Sequence, residues 1–137
     1  MRNIAEFEGH WRLTRQIVDA RLGREMAFAG RAELRPDENG QWLYFEHGIL
    51  HAPGQADMTA EQRYLWRPGR DGIEVCFPDG RFFHAFNPDN GEPVADHFCD
   101  PDQYDVRYDF RNWPDWRTKW RVLGPRKDYR IDNHFYR

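Results

Sequence analysis

Turn-forming clusters recur along this chain at intervals that suit strands and little else. Gly, Pro, Asn and Asp gather at Leu22-Gly23, Pro36-Asp37-Glu38-Asn39-Gly40, Pro68-Gly69-Arg70-Asp71-Gly72, Pro78-Asp79-Gly80, Asn87-Pro88-Asp89-Asn90-Gly91, Asp100-Pro101-Asp102 and Gly124-Pro125. Each supplies the residue types that let a backbone reverse. The alternating segments between them predict strands near 10–18, 25–35, 41–50, 60–67, 73–77, 81–86, 94–99, 104–110, 116–123 and 128–136. Such spacing leaves no room for ten-residue crossover helices, so a parallel α/β fold is disfavoured. An antiparallel all-β barrel or sandwich of about ten strands remains. The first eight residues are the one plausible helical stretch and would form a short cap on a barrel end. At 137 residues, with no linker or low-complexity tract, the chain reads as one domain over 1–137.

Rings build the core. Ten Phe, six Tyr and six Trp outnumber the seventeen Leu, Ile and Val together, and large rings supply the burial that offsets chain entropy. Eighteen Arg and two Lys are scattered among twenty-three acids for a net charge of -3, which leaves no basic field for nucleic acid. The run Arg126-Lys127-Asp128-Tyr129-Arg130 is broken by an acid and reads as a solvated hairpin. Cys76 and Cys99 fit neither a CxxC pair nor a disulfide scaffold. With no apolar leader at Met1–Glu6 and no run of 18 apolar residues, the expectation is a cytoplasmic protein that does not engage a membrane.

Residues directly opposite in an antiparallel pair share a face, so turn positions predict an inner wall. A turn over Asp19 to Arg24 sets Trp11 against Ala32, Leu13 against Gly30, Arg15 against Phe28 and Ile17 against Met26. A turn around Glu38 sets Ala32 against Tyr44, Gly30 against Glu46 and Leu34 against Trp42. Gly30 in mid-strand marks a sharp bend or a close approach, or a plain bulge in a sandwich. Asp79-Gly80, a two-residue hairpin signal, sets Phe77 against Phe82, Val75 against His84 and Ile73 against Phe86. The next two turns set His84 against His97, Phe82 against Cys99, and His97 against Val106, with Asp96 beside Arg107 on the outer face. Cys76, Phe83, Phe98, Leu43 and Phe45 then fall outward, either as a covered patch or dimer face or because one register is wrong.

Several inward groups carry chemistry. His84 and His97 could ligate a metal, hold an axial haem position or bind an anion, with Cys99 as a third soft ligand. Alternatively they satisfy hydrogen bonds beside Tyr104, Tyr108 or water. Glu46 needs a partner on an inner wall. Arg15 or an inward Arg of the last strand would supply one; a free carboxyl would instead rise in pKa and serve as acid or base. Trp42, Trp66, Trp116 and Trp120 with Tyr44 and Tyr64 suit a flat or apolar guest, or simply fill the barrel. Trp113 in Asn112-Trp113-Pro114-Asp115-Trp116 rims a cavity mouth or pins the loop to the barrel end.

Gly9-His10-Trp11, a Gly-x-Trp opening the first strand, resembles the calycin superfamily of lipocalins, fatty-acid-binding proteins and nitrobindin-like barrels. The resemblance implies an up-and-down barrel with an interior ligand cavity, Trp11 closing its bottom, and Arg137 or Arg130 packing across that ring. The Arg-x-Tyr triad of the fatty-acid-binding family is not recognisable. Nearly the whole chain is also similar to a small bacterial family of unknown function. The matching pieces are Gly9-His10-Trp11 with Arg15 and Ile17, Phe28-Ala29-Gly30, Tyr44-Phe45-Glu46-His47-Gly48, Arg63-Tyr64-Leu65-Trp66, Asp79-Gly80-Arg81-Phe82-Phe83-His84, His97-Phe98-Cys99, and Trp120 through Tyr129.

The sequence thus predicts a calycin-like barrel that binds a small, partly apolar or aromatic molecule. Trp42, Tyr44, Trp66 and Phe86 wall the site, and Glu46, His84 and His97 orient the guest. The nitrobindin resemblance makes haem, with His84 or His97 axial, the cofactor to test. Two alternatives stand beside this reading. One is a non-metal isomerase, cyclase or hydratase using Glu46 with His84 or His97 as acid and base. The other is an interaction protein that dimerises through an outer stripe of Phe45, Phe83 and Phe98.

Overall fold

A computed structural model describes residues 2–137. Its ten strands are β1 (Gly9–Asp19), β2 (Arg24–Pro36), β3 (Trp42–His51), β4 (Met58–Gly69), β5 (Gly72–Cys76), β6 (Phe82–Phe86), β7 (Val94–Cys99), β8 (Asp102–Asp109), β9 (Trp116–Gly124) and β10 (Lys127–Tyr136). They form one antiparallel sheet in the order β6-β5-β4-β3-β2-β1-β10-β9-β8-β7, curled into a nearly closed barrel. The all-β prediction holds, and the predicted N-terminal cap is a short 3-10 turn, Ile4–Phe7.

Closure is incomplete at one seam. The predicted ladder that sets His84 against His97 and Phe82 against Cys99 does not form, because β6 and β7 are the two ends of the sheet. The segment entering β7 is committed to the opposite neighbour: the Tyr108 amide donates to the Pro93 carbonyl and the Phe110 amide to that of Gly91, at 2.9 and 2.8 Å. Side chains fill the seam instead, with the rings of Phe83 and His97 perpendicular and 5.2 Å apart.

Local turn chemistry explains which predicted registers hold. β1 pairs with β2 as predicted, Trp11 opposite Ala32 and Arg15 opposite Phe28. β2 and β3 sit two residues from the prediction, with Ala32 opposite Glu46, Leu34 opposite Tyr44 and Gly30 opposite Gly48. The Asp37 amide donates to the Gln41 carbonyl, and the Asp37 carboxylate accepts from the amides of Asn39 and Gln41. That loop centres on Asn39 rather than Glu38. β7 and β8 are displaced likewise, so that His97 faces Tyr104, Ala95 faces Val106, and Asp96 faces Asp105 rather than Arg107. A slip of two keeps every side chain on its face, so the predicted inner wall survives both corrections.

The Asp79-Gly80 hairpin departs in kind. Phe77 and Arg81 close it, with the Phe77 amide donating to the Arg81 carbonyl at 2.8 Å, so the loop holds three residues rather than two. Gly80 has φ +90°, the left-handed conformation such a loop requires at its last position. Cys76 then pairs with Phe82 while Val75 keeps His84, and the extra residue, Phe83, is taken up in a bulge. Phe83 and His84 are consecutive yet both buried, and Cys76 is fully buried. The predicted outward position of Phe83 is therefore wrong, because strict alternation breaks at the bulge, whereas Cys76 is covered outside the core cluster, within electrostatic reach of Arg67 and Glu74.

Gly30 and Gly48 face each other across β2 and β3. A Cβ on Gly30 would run into the His47 carbonyl and the Gly48 Cα, which makes Gly30 a close-approach glycine.

One barrel end is plugged. The Asn3 side chain accepts from the Ala5 amide, and the Glu6 carboxylate accepts from the Asn3 amide. This capping box turns the chain so that Phe7 points inward, fully buried and edge-on to Trp66, Phe110, Trp113 and Trp116. Trp11 Nε1 donates to the Phe7 carbonyl at 2.9 Å. The Arg137 guanidinium lies 3.9 Å from the centre of the Trp11 ring and donates to the carbonyls of Glu6 and Glu8, which the short turn leaves unpaired. Arg137, not the exposed Arg130, is thus the residue that crosses Trp11. Trp113 packs on Phe7 and Trp11 at this end, so it pins the loop rather than rimming a mouth.

Candidate functional site

The barrel interior is not filled. Above the plug lies a cavity of about 240 Å³. Its depth is formed by buried residues, among them Tyr44, Trp66, Tyr108 and Trp116, and partly exposed Ile17, Tyr64, Tyr104 and Ile131 stand around its mouth with the exposed Gln62. A wider groove of about 610 Å³ runs on the outside of β7–β10. Charges of both signs, Asp96, Asp105, Arg107, Lys119, Arg130 and Asp132, line that groove, and they give it no apolar wall of the enclosed kind that small-molecule sites use.

A polar belt crosses the aromatic interior. Arg15 of β1, opposite Phe28, reaches over β2 past Gly30 to Glu46 of β3, which stands opposite Ala32. Arg15 Nη1 and Nη2 donate to Glu46 Oε2 and Oε1 at 2.7 and 3.1 Å, and Arg15 Nε donates to Asn133 Oδ1. The Tyr44 hydroxyl donates to Glu46 Oε1 at 2.8 Å, and Asn133 Nδ2 donates to Thr118 Oγ1 at 2.9 Å. Both oxygens of the buried Glu46 are therefore committed. Burial opposes the charge of Arg15, but the attraction and hydrogen bonds of Glu46 outweigh it and raise the guanidinium pKa. Burial likewise pushes the Tyr44 phenol well above its usual 10, with Glu46 adding to the shift, so Tyr44 remains a donor.

His84 lies beside this belt. Its Nε2 is 2.6 Å from the Tyr108 hydroxyl, while Nδ1 is buried with no hydrogen-bond partner. Burial first, and the nearby His97 second, lower its pKa from 6.5 to about 3. The imidazole is neutral at physiological pH. An unfolded chain protonates this residue near pH 6.5, whereas the folded one resists down to about 3. Between those values the unfolded state binds more protons, so the stabilising contribution is complete above pH 6.5 and is lost on acidification, at up to about 1.4 kcal/mol per pH unit. Urea midpoints measured from pH 7 down to about 4 are expected to fall less steeply in His84→Gln than in the native protein. Parallel slopes would remove His84 as their source.

The predicted site residues divide. Tyr44, Glu46, Trp66 and His84 share the cavity lining. Phe86 is buried against Phe7 and stacks on Tyr108 at 4.1 Å, outside the lining. Trp42 is a half-buried inner-face residue packed against the core. His97, half-buried, packs on Phe77 and Phe83 without reaching the cavity. Cys99 is an exposed free thiol, and among the described residues no three His, Cys, Asp or Glu side chains converge as metal ligands. Haem is a poor fit: Nε2 of His84 is occupied, Nδ1 is shut from open space, and about 240 Å³ falls below the roughly 300–1,000 Å³ of sites for drug-sized groups. The outer stripe is not assembled, since Phe83 is buried and Phe45 lies under the Arg63 guanidinium, while Phe98 is exposed.

Asn133 and Thr118 were absent from the predicted site. Parity would have found them: Thr118 sits between the inward Trp116 and Trp120, and Asn133 between Ile131 and Phe135.

The family model described as "Family of unknown function (DUF6314)" matches residues 7–137. No curated protein and no solved structure matches the chain. Among the described residues no helix is long and apolar enough to cross a membrane.

Proposed function

Since the chain belongs to the DUF6314 family, to which no function is attached, we propose that it binds a small, partly aromatic molecule inside the barrel. The observation that carries this reading is an unfilled space of about 240 Å³ in an otherwise ring-packed interior. Close packing is the norm for protein cores, so a void beside the Arg15–Glu46–Asn133 belt is a departure that a bound molecule would account for. Its size suits one ring or two fused rings. The Arg137 guanidinium across Trp11 supports the calycin-like resemblance and with it a ligand-carrying barrel.

The acid–base alternative has less behind it. A general base works best with a pKa near the operating pH, and His84 is held at about 3. Glu46 accepts three hydrogen bonds from Arg15 and Tyr44, which leaves its carboxylate no free oxygen for proton transfer.

Titration with acetophenone, followed by two-dimensional NMR of the backbone amides and indole N–H groups, tests the binding reading. Shifts are expected to concentrate on Trp66 and Trp116, which line the cavity and not the outer groove. Shifts confined to the outer groove of β7–β10, or none at all, would sink it.

A further inference from the structure

We infer that the guest is uncharged and presents a hydrogen-bond acceptor, such as a carbonyl oxygen, to Arg15 and Tyr64, with its ring lying deeper. This inference rests on the cavity being a binding site. A guanidinium carries five N–H donors. Arg15 commits one to Asn133 and one to each oxygen of Glu46, which leaves two. The Arg15 side chain is 16% exposed against 4% for Glu46, so an entering molecule meets the donors before the carboxylate.

Tyr64 adds a donor at the mouth. Its hydroxyl accepts a hydrogen bond from Gln62 Nε2, which leaves the phenolic proton free to donate. Burial raises the pKa of this phenol, and Glu46 adds to the effect, so the proton stays in place; Arg15 and Tyr104 are also within electrostatic reach of it. Arg15 and Tyr64 together thus present three unspent donors at this level of the cavity.

Charge selects further. Glu46 already occupies the fork of Arg15, the position a carboxylate guest would take. A second anion would share one guanidinium with a buried carboxylate, a poorly compensated charge in a poorly solvated place. A cationic guest would meet Arg15, with the neutralising carboxylate saturated behind it. The Arg15–Glu46 pair carries no net charge, which leaves a neutral molecule as the guest the site tolerates.

Calorimetric titration of the full chain at pH 7 with acetophenone, ethylbenzene, benzoate and benzylamine holds the ring constant and varies only the polar group. Acetophenone is expected to bind about ten-fold more tightly than ethylbenzene, roughly the worth of one good hydrogen bond, and about ten-fold or more above both ions. Tyr64→Phe, a substitution at a half-buried position, is expected to shrink the ketone's advantage over ethylbenzene to about three-fold, both affinities being measured in the same variant. Benzoate binding as tightly as acetophenone would overturn this inference and leave the cavity a binding site, as would a ketone advantage unchanged in Tyr64→Phe. No binding by any of the four, together with an unperturbed NMR spectrum, would overturn the binding reading itself.

Discussion

Replacing Arg15 by methionine is expected to destabilise the fold by about 3–5 kcal/mol, the usual cost of leaving a buried charge without its partner. The cause is Glu46, only 3% exposed, whose carboxylate would retain a single hydrogen bond from Tyr44 once both guanidinium contacts are gone. Asn133 would lose its Arg15 contact at the same time. Such a loss is comparable to a large part of the total stability of a domain this size. The double substitution Arg15→Met with Glu46→Met is expected to recover most of it, since two apolar side chains carry no unpaired charge. Urea unfolding of the native protein, both single variants and the double variant measures the coupling. A cost below about 1 kcal/mol for Arg15→Met would mean that the pair behaves like a surface ion pair, against the burial described above.

Trp116→Ala is expected to cost about 3–5 kcal/mol. Trp116 is among the most deeply buried side chains, stacked on Phe135 with ring centres 3.8 Å apart and planes within 4°, and it touches Phe7, Trp11 and Phe110 at the plugged end. Its removal opens the floor of the existing cavity, and a void lined by rings has no compensating hydrogen bonds to make. An enlarged apolar cavity of this kind binds a ring-shaped guest, and a guest that binds only the folded state raises its melting temperature. Indole is therefore expected to raise the melting temperature of Trp116→Ala more than that of the native protein, read by circular dichroism. Equal shifts would show that the interior has collapsed into the gap or that indole acts elsewhere.

Much of this architecture is legible without coordinates. Strand number and turn positions follow from Gly, Pro, Asn and Asp placement because those residues act on their own backbone. Faces follow from period-two alternation, which explains how Trp11, Leu13, Arg15, Tyr44 and Glu46 are all placed inside although one of their registers was two residues out. The Arg15–Glu46 partnership was readable for the same reason: an inward carboxylate needs a cation, and few inward cations are on offer. The histidines were less readable. His84 and His97 share the predicted inner face, yet only His84 lines the cavity, because the two stand across a seam where β6 and β7 exchange no hydrogen bonds.

The sequence by itself determined an antiparallel barrel of about ten strands with an aromatic interior, because alternation and turn chemistry are decided within a few residues of each position. Only the tertiary structure decided where the barrel fails to close, that a bulge turns Phe83 inward beside His84, and that a space of about 240 Å³ remains between the rings. Those outcomes depend on how ten strands coil around one another and how much volume their side chains then occupy, which is a property of the assembled wall and of no segment in it.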